Sequence, residues 1–311
     1  MRVNLLYLII AFFLSFIFFF IAIPLLKEDK ITQHIREEGP KSHFAKSGTP
    51  TGGGIVFLIV PLFFVSLFAN KEFIFIYLSF LLNGAIGFID DFMSVSKKRS
   101  LGLTARGKIV LQFAVAFVLY FIGRPLFSST VSIGNFSLNI GNTGYFFLYL
   151  FVMLGSTNAF NLTDGIDGLS TIVSIPIFVS FAIIGGVLIK NVSFVMLGML
   201  LAYLWFNSPK ASVFMGDTGA LALGGVVAAM SFVSKSEILL AFFAVIPVIE
   251  AISVILQVSY FKITHGKRIF KMAPIHHHFE LSGWSEAQID FRFFIITVLS
   301  CILGIIVNGG I

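Results

Sequence analysis

Long apolar runs alternate with short polar connections from one end of the chain to the other. Runs such as Leu5 to Leu26 and Ile172 to Ile189 are nearly unbroken over about 18 to 22 residues, the length of a bilayer-spanning helix. Ten such spans are predicted: Asn4 to Leu26, Gly52 to Ala69, Phe73 to Ile89, Ile109 to Ile122, Tyr145 to Phe160, Thr171 to Ile189, Val192 to Phe206, Leu221 to Val233, Ile238 to Phe261 and Phe293 to Val307. The pattern excludes a porin-like barrel, whose strands alternate apolar and polar residues over roughly ten positions. One connection, Val131 to Ile140, does alternate around the turn signal Gly134-Asn135, and it predicts a small β-hairpin. The first span is too long for a signal-peptide core and lacks a clear small-residue cleavage site, so a retained helix is expected. The expected fold is an all-α polytopic membrane protein of about ten transmembrane helices, one domain over residues 1–311.

Composition agrees: the 311 residues are 57% hydrophobic and 12% charged, against about 25% charged in soluble domains. Its 39 phenylalanines and 28 glycines suit helices packed in lipid. The single cysteine, Cys301, excludes an intrachain disulfide. A net charge of +6 would raise nucleic acid as a partner in a soluble protein; here the placement of the charges is more informative. Alternate connections gather Lys27, Lys30, Arg36, Lys41 and Lys46, then Lys97, Lys98, Arg99, Arg106 and Lys108, then Lys210, and last Lys262, Lys267, Arg268, Lys271 and Arg292. The opposite side keeps Arg2, Lys71, Arg124, Lys190 and Lys235. By the positive-inside rule the rich side is cytoplasmic, which puts both termini and the hairpin in the periplasm.

Acids at or inside span ends are costly, about 2.5 to 3.5 kcal/mol for an aspartate at a helix centre, and are functional candidates by default. Asp90, Asp91, Asp164, Asp167 and Asp217 all fall on the cytoplasmic side beside the basic loops. Adjacent helical carboxylates such as Asp90 and Asp91 point about 100° apart, so one could hold a cation while the other handles a proton, or both could solvate a helix end. Asn158, Asn161, Asp164 and Asp167 recur at a spacing of three, which on a helix makes a polar ridge or a capping cluster. Asp217 lies between glycines just before a span, as a hard oxygen ligand suited to Mg²⁺ or as a helix N-cap. Pro274-Ile-His-His-His278 offers three consecutive imidazoles, poorly arranged for one tetrahedral zinc and better suited as donors to phosphate or sugar oxygens, or else part of a solvated loop. Lys46-Ser-Gly-Thr-Pro-Thr-Gly-Gly-Gly54 could meet an anion with free N–H groups or be a flexible turn, and it lacks the ending of a Walker loop. Glu250, near Pro247 and Gln257, reads as a buried structural glutamate.

Taken together these segments resemble the phospho-N-acetylmuramoyl-pentapeptide transferase family over nearly the whole chain. The resemblance is carried by Lys46-Ser-Gly-Thr-Pro-Thr51, Asp90-Asp91, Gly102-Leu-Thr-Ala-Arg-Gly-Lys108, Asn158-Ala-Phe-Asn-Leu-Thr-Asp-Gly-Ile-Asp-Gly-Leu169, Phe214-Met-Gly-Asp217 and Ala273-Pro-Ile-His-His-His-Phe-Glu280. Gly52, Ala220 and Ser94 depart from the family's pattern, and Lys97 or Lys98 could substitute for the phosphate contact missing at Ser94.

The resemblance implies transfer of phospho-MurNAc-pentapeptide from UDP-MurNAc-pentapeptide to undecaprenyl phosphate, giving lipid I and UMP, with Mg²⁺, at the cytoplasmic face of a bacterial inner membrane. It implies Asp217 as the Mg²⁺ ligand, Asp90 or Asp91 as the group that deprotonates or positions the acceptor phosphate, and His276 as an aid by hydrogen bonding or proton transfer; direct transfer and a covalent aspartyl intermediate both stay open. By the same carry-over Lys46, Thr51, Asn158, Asn161, Asp164, Asp167, Asn207, Phe214, Gly216, Gln257, His277 and His278 line the nucleotide-sugar pocket, with Phe214 on uracil, while Lys98 and Lys108 bind the lipid phosphate. The expected partners are the two substrates and the lipid bilayer, with a homodimer a possible assembly and no nucleic acid. The rival readings are a UDP-N-acetylglucosamine-1-phosphate transferase acting on the same lipid, and a cation-coupled transporter, whose acids would sit near the bilayer midplane.

Overall fold

In a computed structural model, residues 2–28, 48–97 and 102–309 are described. They form α1 (Arg2–Glu28), α2 (Gly54–Ile59), a 3₁₀ turn (Val60–Phe64), α3 (Val65–Phe68), α4 (Lys71–Lys97), α5 (Ala105–Gly123), β1 (Thr130–Ile133), β2 (Phe136–Asn139), α6 (Gly141–Thr163), α7 (Leu169–Ile184), α8 (Val187–Asn207), α9 (Gly216–Val233), α10 (Leu240–Phe243), α11 (Val245–Ile263), α12 (Ile275–Glu280) and α13 (Glu286–Val307). Among the described residues eight helices are long and apolar enough to cross a membrane: α1, α4, α5 with its extension to Leu126, α6, α8, α9, α11 and α13. The apolar helices over 54–68 and Leu169–Ile184 are shorter. The predicted hairpin is present, antiparallel with Thr130 opposite Asn139 and Ile133 opposite Phe136. The chain is a multi-pass membrane protein.

The centre of the bundle is α9, buried from Thr218 to Phe232. Its run of Gly, Ala and Leu has the small side chains that let helices approach closely in lipid, where packing replaces the hydrophobic drive between helices. A Cβ on Gly225 would lie 2.7 Å from the Ser79 carbonyl oxygen of α4, and one on Gly87 of α4 would lie 2.1 Å from the Asp217 carbonyl oxygen. On the other flank the Ser156 hydroxyl of α6 donates to the Gly224 carbonyl at 2.8 Å. Where α1 packs on α8 bulky buried aromatics fill the contact instead, with Phe19 of α1 5.3 Å from Tyr203 of α8 between ring centroids.

Three predicted spans need correction. Thr171 to Ile189 is not one helix: α7 stops at Ile184, Gly185 and Gly186 take extended backbone, and α8 begins at Val187. Lys190 and Asn191, predicted as the connector, lie in the first turns of α8, where Asn191 Oδ1 accepts from Asn4 Nδ2 at 2.7 Å. Two adjacent glycines carry no side chain to favour helix, so they break the run although their apolar neighbours hide the break from hydropathy. Ile238 to Phe261 divides at Ala244 into α10 and α11, with Pro247 in the first turn of the latter, where a missing N–H costs nothing. Gly52 to Ala69 is split by the 3₁₀ turn that contains Pro61.

The α4–α9 contact leaves no room at Gly225, so Gly225→Ala should destabilise the bundle by about 1–3 kcal/mol through overpacking. A lower melting temperature of the detergent-solubilised variant is the expected reading, and an unchanged one contradicts the packing.

Candidate active site

Four chain segments converge where α9 begins: the end of α4 with Asp90 and Asp91, the first turn of α5 with Lys108, the last turn of α6 with Asn161, and Asp217 itself. Ligand oxygens of Asp90, Asp91 and Asp217 lie within 4.8 Å of one another, a group able to hold a metal ion. Hard carboxylate oxygens suit a divalent ion such as Mg²⁺. The Lys108 ammonium is drawn between two of these carboxylates, 3.3 Å from Asp90 Oδ1 and in direct contact with Asp217 Oδ2, so a positive charge already belongs at this point. Asn161 Nδ2 donates to Asp217 Oδ1 at 2.8 Å, and the Leu103 N–H donates to Asp90 Oδ1 at 2.9 Å.

The two adjacent aspartates do different work. Asp91 Oδ1 accepts from the Asp217 N–H at 3.0 Å, while its Oδ2 accepts from the Thr218 N–H at 3.0 Å and the Thr218 hydroxyl at 2.6 Å. Asp91 therefore caps α9 from another helix, satisfying amides that a helix start leaves without partners and meeting the positive end of its dipole. Gly216 begins α9 at φ +68°, and a Cβ there would lie 2.5 Å from Asp91 Oδ2. Only glycine combines that backbone with that approach. Of the two sequence readings of Asp217, the N-cap role passes to Asp91, and the Asp217 carboxylate points to Lys108 and Asn161.

The polar ridge predicted from Asn158 to Asp167 holds only in part, because α6 ends at Thr163. Asn158 Nδ2 donates to Leu154 O at 2.8 Å and to Gln112 Oε1 at 3.1 Å, which ties α6 to α5. Asp164 caps the end of α6. Its burial, followed by the charges of Asp217, Asp91 and Asp167, pushes its carboxyl up to about 8. Asp167 Oδ2 accepts from the Lys210 and Ala211 N–H groups at 3.1 and 3.0 Å. Asn207 accepts from the Gly168 N–H at 3.0 Å and donates to Val213 O at 3.0 Å. These two residues thus stitch the turn after α6 to the loop that leads into Phe214.

In the described part of the glycine-rich entry, two glycine amides are already engaged. Gly53 and Gly54 donate to Phe214 O and Met215 O at 2.9 and 3.0 Å, the Phe214 N–H donates to Pro50 O at 2.9 Å, and Thr51 is buried in the same turn. The Gly53 and Gly54 amides thus pair the turn with the start of α9. The three histidines take different polar partners: His277 Nδ1 lies 2.6 Å from Glu280 Oε2, His278 Nδ1 accepts from the Lys271 N–H at 3.1 Å, and His276 is buried against Glu250, while the His276 and His277 rings stay 4.1 Å apart between centroids. All three sit on one helical turn, Ile275–Glu280, from which consecutive side chains leave in different directions. Gln257 Oε1 accepts from the Ile269 and Phe270 N–H groups, both at 3.0 Å. Lys46 and Lys98 lie outside the described residues. Thr218, Gln112 and Glu286, whose Oε2 accepts from the Asp167 N–H at 3.3 Å, were not among the expected site residues. A hydroxyl directly after Asp217 was the one available signal; the other two partners come from distant helices.

A family model described as glycosyl transferase family 4 matches residues 73–235. The chain is 45% identical to the phospho-N-acetylmuramoyl-pentapeptide-transferase of Halalkalibacterium halodurans, over 98% of this chain and 97% of that protein. It is 41% identical to the protein of that name from Thermodesulfovibrio yellowstonii, over 96% and 91%. Against the one from Staphylococcus carnosus it is 42% identical, over 96% and 97%. Likeness of this extent covers every element that builds the acidic cluster, and the chain belongs to the phospho-N-acetylmuramoyl-pentapeptide transferase family.

Proposed function

We propose that the protein transfers phospho-MurNAc-pentapeptide from UDP-MurNAc-pentapeptide to undecaprenyl phosphate in peptidoglycan synthesis, yielding lipid I and UMP. The observation that carries the reading is the Asp90, Lys108 and Asp217 constellation at the end of a membrane bundle, in a chain of this family. An oxygen of the acceptor phosphate attacks the phosphorus bonded to the sugar. The bond from that phosphorus to the bridging oxygen breaks, and UMP leaves with the electron pair. Such transfer is mostly positioning and charge neutralisation, which suits a site made of carboxylates, amides and one ammonium.

Asp217 would hold Mg²⁺, which would supply charge neutralisation for the diphosphate. Asp90 takes the proton of the acceptor phosphate or orients it, because the oxygens of its neighbour Asp91 already serve three donors. Lys108, beside both Asp90 and Asp217, meets the anionic oxygens of the lipid phosphate. Phe214 offers its ring to uracil, and His276 assists the transfer. Ten membrane passes with both termini in the periplasm put this end of the bundle at the cytoplasmic face of the bacterial inner membrane. That topology is supported by the one-sided basic connections.

Purified protein supplied with undecaprenyl phosphate and Mg²⁺ should release UMP from UDP-MurNAc-pentapeptide and not from UDP-N-acetylglucosamine; the reverse preference moves it to a sibling activity. Chelation should stop release and added Mg²⁺ restore it. Asp217→Asn should lower turnover by about 10²- to 10³-fold or more, and near-parental UMP release from that variant contradicts the metal assignment. Phe214→Ala should raise KM for the nucleotide about three- to tenfold, the loss of one aromatic contact, with kcat little changed.

A further inference from the structure

Helix α11 buries one narrow face, Ile246, Pro247, Glu250, Ser253 and Gln257, while Ile249, Ile252, Ile255 and Leu256 are exposed. A helix with its apolar side turned outward and its polar residues in line inward needs a partner for each polar group. The Ser253 hydroxyl donates to the Glu250 carbonyl at 2.7 Å, and Gln257 holds the backbone of Ile269 and Phe270. The chain beyond α11 thus folds back along it, and the return brings α12 to Glu250.

Glu250 and His276 are each 0% exposed, with Glu250 Oε1 3.1 Å from His276 Nδ1. The two atoms are at ion-pair distance and out of line for a hydrogen bond. Glu250 Oε2 accepts from the His276 N–H at 3.4 Å. On the far side of the ring Nε2 fronts Gly165, where a Cβ would lie 2.3 Å away, and it makes no hydrogen bond among the described residues. The imidazole therefore faces a carboxylate at one nitrogen, while the other, buried and without a hydrogen bond among the described residues, packs against Gly165 in the turn that holds Asp164. A neutral side chain would anchor the α12 backbone equally well. A carboxylate at a ring nitrogen also fixes which nitrogen carries the proton, the role acids play behind working histidines.

We propose that Glu250 is a positioning residue for the transfer, holding the proton on His276 Nδ1 so that Nε2 is presented as an acceptor toward the Asp164 turn. The proposal rests on the transferase reading, in which His276 assists the reaction.

The test is a set of detergent-solubilised full-length variants, Glu250→Met and Glu250→Gln, assayed for UMP release and followed by ¹⁵N spectra of histidine-labelled protein. The His276 signals are identified by their loss in His276→Asn. Glu250→Met, which keeps volume without an acceptor, should lower kcat about 10- to 100-fold with KM for the nucleotide unchanged. Glu250→Gln, which keeps an acceptor oxygen, should recover most of that loss and keep the melting temperature near that of the parent, while Glu250→Met, which leaves the buried His276 N–H without its acceptor, should melt somewhat lower. The parent should show a protonated Nδ1 and a bare Nε2, a pattern disturbed in Glu250→Met. Parental kcat in Glu250→Met, or equal losses in the two variants, overturns the proposal. If Glu250→Met fails to fold, parent signals that show a bare Nδ1 and a protonated Nε2 overturn it. A parent that releases no UMP refutes the transferase reading, while its His276 signals still decide the pairing.

Discussion

The hydrogen bonds from the start of α9 to Asp91 hold the acidic site together. A helix start leaves unpaired N–H groups, and inside a bilayer bundle water is a poor remedy. Asp91 satisfies two of them from α4 and also accepts the Thr218 hydroxyl. The approach is possible because Gly87 and Gly216 leave no Cβ between the helices. Since Asp217 is the residue whose N–H is capped, its carboxylate is aimed by the same contact, toward Lys108 and Asn161. Architecture and chemistry thus share one set of bonds.

Around that contact the site is assembled by backbone pairing. Gly53 and Gly54 clamp the approach to α9, while Asp167 and Asn207 clamp the loop before it. Among the described residues, the side chains left facing each other are mostly acids, with one ammonium, that of Lys108. That concentration of negative charge is costly for a folded protein and suited to a site that works with a cation and anionic phosphates.

Much of this was legible in the sequence. Apolar runs of bilayer length gave the helices, the alternating segment around Gly134-Asn135 gave the hairpin, and unusual acids in apolar context marked Asp90, Asp91 and Asp217. Hydropathy missed the breaks at Gly185–Gly186 and Ala244 because a helix can end with no polar residue nearby. Motif spacing could not tell that Asp91 would face an amide row and Asp90 a lysine, since that depends on the rotation of α4 against α9. Nor could it show that Asp167, Asn207 and Gln257 would be engaged with backbone, or that Glu250 would meet a histidine beyond the end of its own helix.

The division of labour between the two adjacent aspartates is measured most directly by comparing Asp90→Asn with Asp91→Ala in melting temperature and UMP release. The account predicts that Asp90→Asn keeps its melting temperature and loses turnover, whereas Asp91→Ala loses about 0.5–2 kcal/mol of stability, as for a removed helix cap, together with turnover. An Asp91→Ala protein as stable as its parent, or a fully active Asp90→Asn, would contradict it.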